Sequence, residues 1–356
     1  MSMLKLEFNS YVLDFNFQAR TSRGQISERK VWFIQIFDEL GRSGYGEIAP
    51  IDRLSPEELS EVPLLLEKIS SGFRKYELPI NDDTVFSLVQ ELVPVQFPSV
   101  RFGFEMAFLD LINGGEKKIF SKGLGSVSIP INGLVWMGDV DFMQNQIKEK
   151  LEQGFRCLKL KVGALDFKTE LDIIKSLRRV SDDLVIRLDA NGGFQTNEVL
   201  SKLKQLAPYN IHSIEQPILP MQPEAMELLC KKSEIPIALD EELIHIFSSE
   251  EKMELLQELK PQFIVLKPTL HGGFSGVKEW IDLAEMHGIH WWITSYLESN
   301  IGLNAIAQFT SQYENEEFHG LGTGNLYSNN ITSPIMIKEG KLVYASSNVW
   351  GEIETK

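Results

Sequence analysis

From about residue 128 to residue 322 the chain alternates short apolar or β-branched runs with amphipathic stretches, and this repeat constrains its fold more than any other feature. Strands are predicted at Ser128–Trp136, Arg156–Val162, Leu184–Asp189, Ile211–Glu215, Pro236–Asp240, Gln262–Lys267, Ile289–Ser295 and Phe318–Gly322. Helical patterns separate them, as in Asp166–Val180, where Phe167, Leu171, Ile174 and Leu177 recur at three- and four-residue steps. Eight strands with interleaved helices predict an α/β chain with a (β/α)₈-type, TIM-like barrel, because parallel strands need crossover connections. A doubly wound open sheet is the alternative, but it calls for a glycine-rich phosphate turn after an early strand, and the sequence has none.

Residues 1–122 read differently. Leu4–Phe17, Arg29–Asp38 and Ser43–Ile48 suggest an antiparallel meander, followed by helical patterns at Ser55–Arg74, Asp82–Leu92 and Ser99–Asn113. The expected arrangement is an α+β domain over residues 1–122, a barrel over 123–332, and a tail of 333–356 with a short strand at Lys341–Ala345 that packs back on the first domain. Two domains suit a length of 356 residues. Between Phe17 and Arg29, the polar segment Gln18–Gln25 reads equally as a lid or as a hairpin tip.

The formal net charge is −15, which opposes nonspecific association with nucleic acid or anionic membranes. No apolar stretch approaches the ~20 residues of a membrane span, and no secretory signal pattern opens the chain, so a cytoplasmic setting is expected. Cys157 and Cys230 are too few for a disulfide framework and read as small buried residues. If the substrate is itself an anion, such an acidic chain must gather positive charge locally from lysines or a metal.

The charges fall in phase with the repeat. Lys161, Asp189, Glu215, Asp240 and Lys267 each end a predicted strand, at intervals of 28, 26, 25 and 27 residues. Strand C-termini of such a barrel converge on one mouth, where active sites are built. Singly, each residue reads as a solvated loop charge; five in phase do not. Lys159 and Lys161, two residues apart in an apolar strand, share one face, and their repulsion is expected to lower the pKa of one and suit it to act as a base. Arg187, Asp189 and Asn191 alternate in the same manner. Three carboxylates at one mouth require a cation, and oxygen-only ligands favour Mg²⁺ over zinc, with Mn²⁺ as a substitute. Other residues carry less. His271 reads as a loop residue and His212 as a core histidine, while of Trp291 and Trp292 only one can face the barrel interior. Gly272-Gly273, opening a helix, offers an anion cradle on weak grounds.

The set Lys159-x-Lys161, Asp189-Ala190-Asn191, Glu215-Gln216-Pro217, Asp240-Glu241 and Lys267-Pro268 resembles the enolase superfamily, in its muconate-lactonizing-enzyme-like subgroup. The resemblance covers nearly the whole chain and implies an N-terminal capping domain on a modified barrel. It implies that Asp189, Glu215 and Asp240 bind Mg²⁺, that Lys161 and Lys267 are catalytic on opposite faces, and that Lys159 meets the substrate carboxylate or enolate. Ile293–Gly302, Leu266–Gly273 and His319–Thr323 are similar to the corresponding segments of o-succinylbenzoate synthases. Dipeptide epimerases carry an Asp-x-Asp motif near strand eight, whereas Leu321–Asn325 has no acid, as suits a substrate without a cationic end. Ser295, Ser299, Gly322, Arg187 and Asn191 are the further expected contacts to a small-molecule carboxylate. The implied reaction is loss of water from a hydroxylated, succinyl-bearing cyclohexadiene carboxylate. A dipeptide epimerase or N-acylamino acid racemase, a muconate-type cycloisomerase and a non-catalytic metal-stabilised scaffold are the other readings, the last opposed by lysines in an apolar strand.

Overall fold

The computed structural model describes residues 4–21, 24–120, 128–163, 165–345 and 348–352. Three strands, β1 (Lys5–Thr21), β2 (Gly24–Phe37) and β3 (Ser43–Ile48), form an antiparallel sheet in that order. β1 and β2 extend through most of the segment expected as a loop, with Ala19 opposite Ile26 and Thr21 opposite Gly24. Paired backbone therefore replaces the loop except at residues 22 and 23, which lie outside the described residues.

Helices α1 (Glu61–Gly72), α2 (Asp82–Leu92) and α3 (Pro98–Ile112) cover this sheet. α1 starts later than its apolar pattern suggests, because Ser55 closes a turn on Ile51: its backbone N–H donates to the Ile51 carbonyl, and its Oγ accepts the Ile51 N–H. α3 is buried along nearly its whole length, Glu105 and Asp110 included. A Cβ on Gly44 would lie 2.1 Å from the Ala107 carbonyl oxygen, and one on Gly46 would lie 2.0 Å from that of Gly103, so β3 rests directly on the α3 backbone. On another face of α3, Phe102 meets Phe274 with ring centroids 5.2 Å apart.

Next come β4 (Ser128–Pro130) and then seven parallel strands in consecutive order: β5 (Gly133–Val135), β6 (Cys157–Lys161), β7 (Val185–Asp189), β8 (Ile211–Glu215), β9 (Ile237–Leu239), β10 (Phe263–Leu266) and β11 (His290–Ile293). Between them run α4 (Val140–Glu152), α5 (Phe167–Val180), α6 (Val199–Leu206), α7 (Pro223–Lys232), α8 (Ser249–Leu259) and α9 (Gly273–Met286), with α10 (Asn300–Thr310) after β11. The expected eighth strand, Phe318–Gly322, is reduced to single parallel bridges, Thr294 to Gly320 on one side and Ile131 to His319 on the other. These bridges close the barrel. The backbones approach closely there, since a Cβ on Gly320 would lie 2.2 Å from the Thr294 hydroxyl. The expected first strand also divides: β4 pairs antiparallel with β13 (Lys341–Tyr344), itself paired with β12 (Ile335–Lys338). Among the described residues the tail strands pair with the barrel's entry strand, while the Lys117 ammonium of the N-terminal region lies over the Trp350 ring. The expected boundary at 122/123 falls within 121–127, outside the described residues.

Side-chain alternation fills the barrel in layers. Ala238, Phe263, Val265 and Trp292 form a separate apolar cluster, and Trp291 packs outward on Tyr313. His212 lies against Phe263, and both cysteines are buried. Among the described residues no helix is long and apolar enough to cross a membrane.

Candidate active site

The register of the parallel strands assembles the charged mouth. Lys161 lies opposite Asp189, and Asp189 opposite Glu215, while Glu215 pairs with Ala238. Asp240 stands two residues beyond Ala238, just past β9, and Lys267 stands just past β10. β6 and β10 are four strands apart in the sheet order, so in a barrel of eight positions their lysines occupy opposite walls. The three carboxylates come from the strands between them. A cavity of about 670 Å³ opens over this layer, bounded by the barrel mouth and by Arg29 and Leu54 of the N-terminal domain.

The cavity is electrostatically dense. Lys159 Nζ donates to both Glu215 oxygens at 2.6 and 2.7 Å and lies 2.9 Å from Asp189 Oδ2. Lys161 Nζ donates to Asp189 Oδ2 at 2.6 Å and Asn191 Oδ1 at 2.7 Å. Lys267 Nζ donates to the two Asp240 oxygens at 2.5 and 2.6 Å. Burial pushes the Glu215 carboxyl up, and the charges of Asp189 and Asp240 push it further. Burial acts in the same direction on Asp189 and Asp240, but Lys159 and Lys161 hold the first, and Lys267 the second, below the usual carboxylate range. For Lys159, burial favours the neutral form, yet Asp189, Glu215 and Asp240 outweigh it and raise its pKa. Lysine–lysine repulsion therefore does not make Lys159 a base. Lys267 is likewise raised by Asp240 and Glu215 against burial.

Of the remaining expected contacts, Asn191, Ser295 and Gly322 line the cavity. Asn191, in the left-handed region at φ 42°, accepts from Lys161 and donates to Glu241 Oε1 at 3.0 Å. Ser295 Oγ lies 2.6 Å from Thr323 Oγ1. Two expectations fail. Arg187 lies below the cavity, with its guanidinium 3.8 Å from the Trp292 ring centroid and bonded to the Phe318 carbonyl and the Glu317 carboxylate, both at 2.5 Å. It plugs the barrel interior. Ser299 caps α10, accepting from the Ile301 N–H at 3.1 Å and donating to the buried Glu47 at 2.6 Å.

Several residues of the site escaped the sequence reading. Gln216, fully buried at φ 38°, accepts the backbone N–H of Asp240 at 3.2 Å and of Glu242 at 3.1 Å, locking β8 to β9 at the carboxylates. Arg29 donates to the carbonyls of Pro50 at 2.5 Å, Ala49 at 2.7 Å and Tyr296 at 3.2 Å, tying the N-terminal domain to the segment after β11. Its signal was present: a cation on the same strand face as the apolar Val31 and Phe33. Tyr296 stands at the cavity wall with Lys267 Nζ 5.8 Å from its ring centroid. His271 is buried, and burial pushes its pKa down to about 3. The cradle at Gly272-Gly273 is occupied internally: Glu105 of α3 accepts from the Phe274 N–H at 2.5 Å, and a Cβ on Gly273 would strike that carboxylate at 2.3 Å.

The donor set fits a hard divalent cation. Three buried carboxylates on adjacent strands repel one another through Glu215, Asn191 adds a neutral oxygen, and no histidine or cysteine lines the cavity among the described residues. In this structure the lysines hold the carboxylates, and among the described residues no three acidic, His or Cys side chains are drawn around one point.

A closed parallel barrel with acids and lysines at its strand ends, beneath an antiparallel N-terminal domain, defines an enolase-type enzyme. Residues 143–346 match the family described as enolase C-terminal domain-like, and the chain belongs to that family. It is 41% identical to the o-succinylbenzoate synthase of Desulfotalea psychrophila, over 96% of this chain and 99% of the relative. The crystal structure of MenC from that organism superposes with a TM-score of 0.86 at 36% identity, covering 96% of this chain and 99% of the other. The L-Ala-D/L-Glu epimerase of Bacillus subtilis is 23% identical over 98% of this chain and 94% of its own.

Proposed function

We propose that this chain is an o-succinylbenzoate synthase, a magnesium-dependent lyase that dehydrates a succinyl-bearing hydroxycyclohexadiene carboxylate in menaquinone biosynthesis, in the cytoplasm. The identity of 41% to such a synthase along almost the whole of both chains carries this reading, against 23% for the epimerase. The cavity supports it: its wall at Gly320, Gly322 and Thr323 presents no carboxylate to hold a substrate ammonium.

Asp189, Glu215 and Asp240 would hold Mg²⁺, which supplies positive charge to the substrate carboxylate as it becomes an enolate. Lys161 removes the α-proton from one face of the ring and returns it to the departing hydroxyl on that same face, so one residue serves as base and then acid. Lys267, on the opposite wall and kept cationic by Asp240, stabilises the developing negative charge without moving a proton. Lys159 neutralises the carboxylate end of the substrate. Asn191 orients the Lys161 ammonium.

The test is turnover of the succinyl-hydroxycyclohexadiene carboxylate with Mg²⁺, followed by absorbance as the ring becomes aromatic. Absence of aromatic product alongside epimerisation of L-Ala-L-Glu would overturn the assignment. The lysines on opposing walls favour racemisation of N-acylamino acids as a second activity, because inversion needs a proton acceptor on one face and a donor on the other. Stereospecific exchange in D₂O that survives separately in Lys161→Ala and Lys267→Ala, each with the opposite enantiomer, is the expected signature. Loss of exchange with both enantiomers in either single variant argues against it.

A further inference from the structure

A second cavity, of about 530 Å³, lies where α2 and α3 of the N-terminal domain meet α8, α9 and the segment Leu243–Phe247 of the barrel. Its size is within the range of small-molecule sites. It is separate from the catalytic cavity, and Leu270 lies in the walls of both.

Most of the charges in this second cavity are already spent. Lys252 pairs with Glu279, Lys278 pairs with Asp282 at 2.8 Å, and Asp83 is exposed on the first turn of α2. Two donors remain. Arg101 Nε donates to the Val93 carbonyl at 3.0 Å, and its two terminal nitrogens make no hydrogen bond or ion pair among the described residues. His271 Nδ1 accepts the backbone N–H of Lys267 at 3.1 Å, so Nε2 carries the ring proton. That Nε2–H is buried without a partner among the described residues, and the histidine is only 7% exposed. The ring itself lines the cavity. Arg101 and Lys252 are close enough to repel, as are Lys252 and His271, so the three share one side, with Glu105 acting on Arg101 and Glu279 on Lys252. Phe86 and Phe247 supply apolar wall.

We propose that this second cavity binds a small organic carboxylate with an apolar body, its oxygens meeting the Arg101 guanidinium beside the His271 imidazole.

The test uses full-length protein labelled with ¹⁵N-histidine, titrated with benzoate and followed through the imidazole nitrogens of His271, assigned with His271→Gln. A saturable shift of the Nε2 resonance is expected, and benzylamine, of similar size but opposite charge, leaves it unmoved. Arg101→Gln weakens benzoate binding roughly tenfold or more, a loss of about 1.4 kcal/mol. Ser87→Trp, at an exposed position on the cavity wall, blocks binding without touching Arg101 and serves if the arginine variant fails to fold. A His271 resonance that does not move, that responds equally to benzylamine, or that still saturates at wild-type benzoate in Arg101→Gln or Ser87→Trp overturns the proposal. The Arg101→Gln and Ser87→Trp variants separate binding here from benzoate in the catalytic cavity, whose Lys267 also bonds to His271.

Discussion

Lys159→Met should tighten Mg²⁺ binding while destroying turnover. Lys159 holds both Glu215 oxygens and lies 2.9 Å from Asp189, so its ammonium satisfies two of the three carboxylates that would ligate the cation. A divalent ion engaging them must break those contacts. Charge-assisted hydrogen bonds are each worth about 1.5–3 kcal/mol net, and removing even one such cost tightens binding roughly ten- to a hundredfold. Deleting the buried positive charge also removes direct repulsion, so this is a lower bound. Turnover falls about a hundredfold or more, because the substrate carboxylate loses its cationic partner. Isothermal calorimetry of EDTA-stripped wild type and variant with Mg²⁺, beside a dehydration assay at saturating metal, reads both effects. Lys267→Met is the control, since Lys267 bonds to Asp240 alone among the carboxylates and should tighten binding less. Weaker or unchanged Mg²⁺ affinity in Lys159→Met would refute the reasoning, because the ammonium would then not be competing for the ligands.

EDTA should abolish activity, with Mg²⁺ or Mn²⁺ restoring it, and Asp189→Ala combined with Glu215→Ala should show no calorimetric Mg²⁺ binding. Full turnover of stripped protein would contradict the first statement, and calorimetric Mg²⁺ binding by the double variant the second. That double variant should also melt at a lower temperature, because it leaves Lys159 buried with neither of its two close partners, a change of about 3–5 kcal/mol for a broken buried pair. Lys161→Ala and Lys267→Ala should each cost at least about a hundredfold in dehydration rate, measured by the appearance of the aromatic product; wild-type dehydration in Lys267→Ala would remove its electrostatic role. The fourth prediction concerns Glu105, whose pKa burial raises from 4.5 to about 7. The native state holds its proton where the unfolded state has lost it, so its contribution is complete below pH 4.5 and declines as pH rises to about 7. The amplitude is on the order of 3 kcal/mol. Glu105→Gln should flatten the fall in melting temperature across that window, and an unchanged slope would show that the carboxyl ionises normally.

The strand-end charges were legible because each is fixed by local pattern: a strand's end and the parity of its residues both lie within a few positions of sequence. Parity gives direction but not depth, and Arg187 shows the difference. It faces inward as Asp189 does, but at about 3.3 Å of rise per residue it sits more than 6 Å further down the barrel, where Trp292 and Glu317 absorb it. Ser299 erred for another reason. A serine directly before an apolar helical run is an N-cap by residue type, and that local role took precedence over a substrate contact.

What the sequence could not disclose is contact between distant segments. Glu47 reaches Ser299 across 252 residues and Arg29 reaches Tyr296 across 267, and no periodicity registers either pair. Both contacts join the N-terminal domain to the segment following β11, and each puts a buried ionisable side chain on backbone groups: Glu47 accepts the N–H of Ser299 and of Gly302, both at 2.8 Å, while Arg29 donates to three carbonyls. Glu105 does the same at the N-terminus of α9. A buried polar group satisfied by fixed backbone dipoles tolerates little displacement, because each lost bond leaves a desolvated group unpaired. These contacts hold the N-terminal domain in register over the barrel mouth. The wall it supplies at Arg29 and Leu54 is therefore positioned as firmly as the strand-end residues it faces.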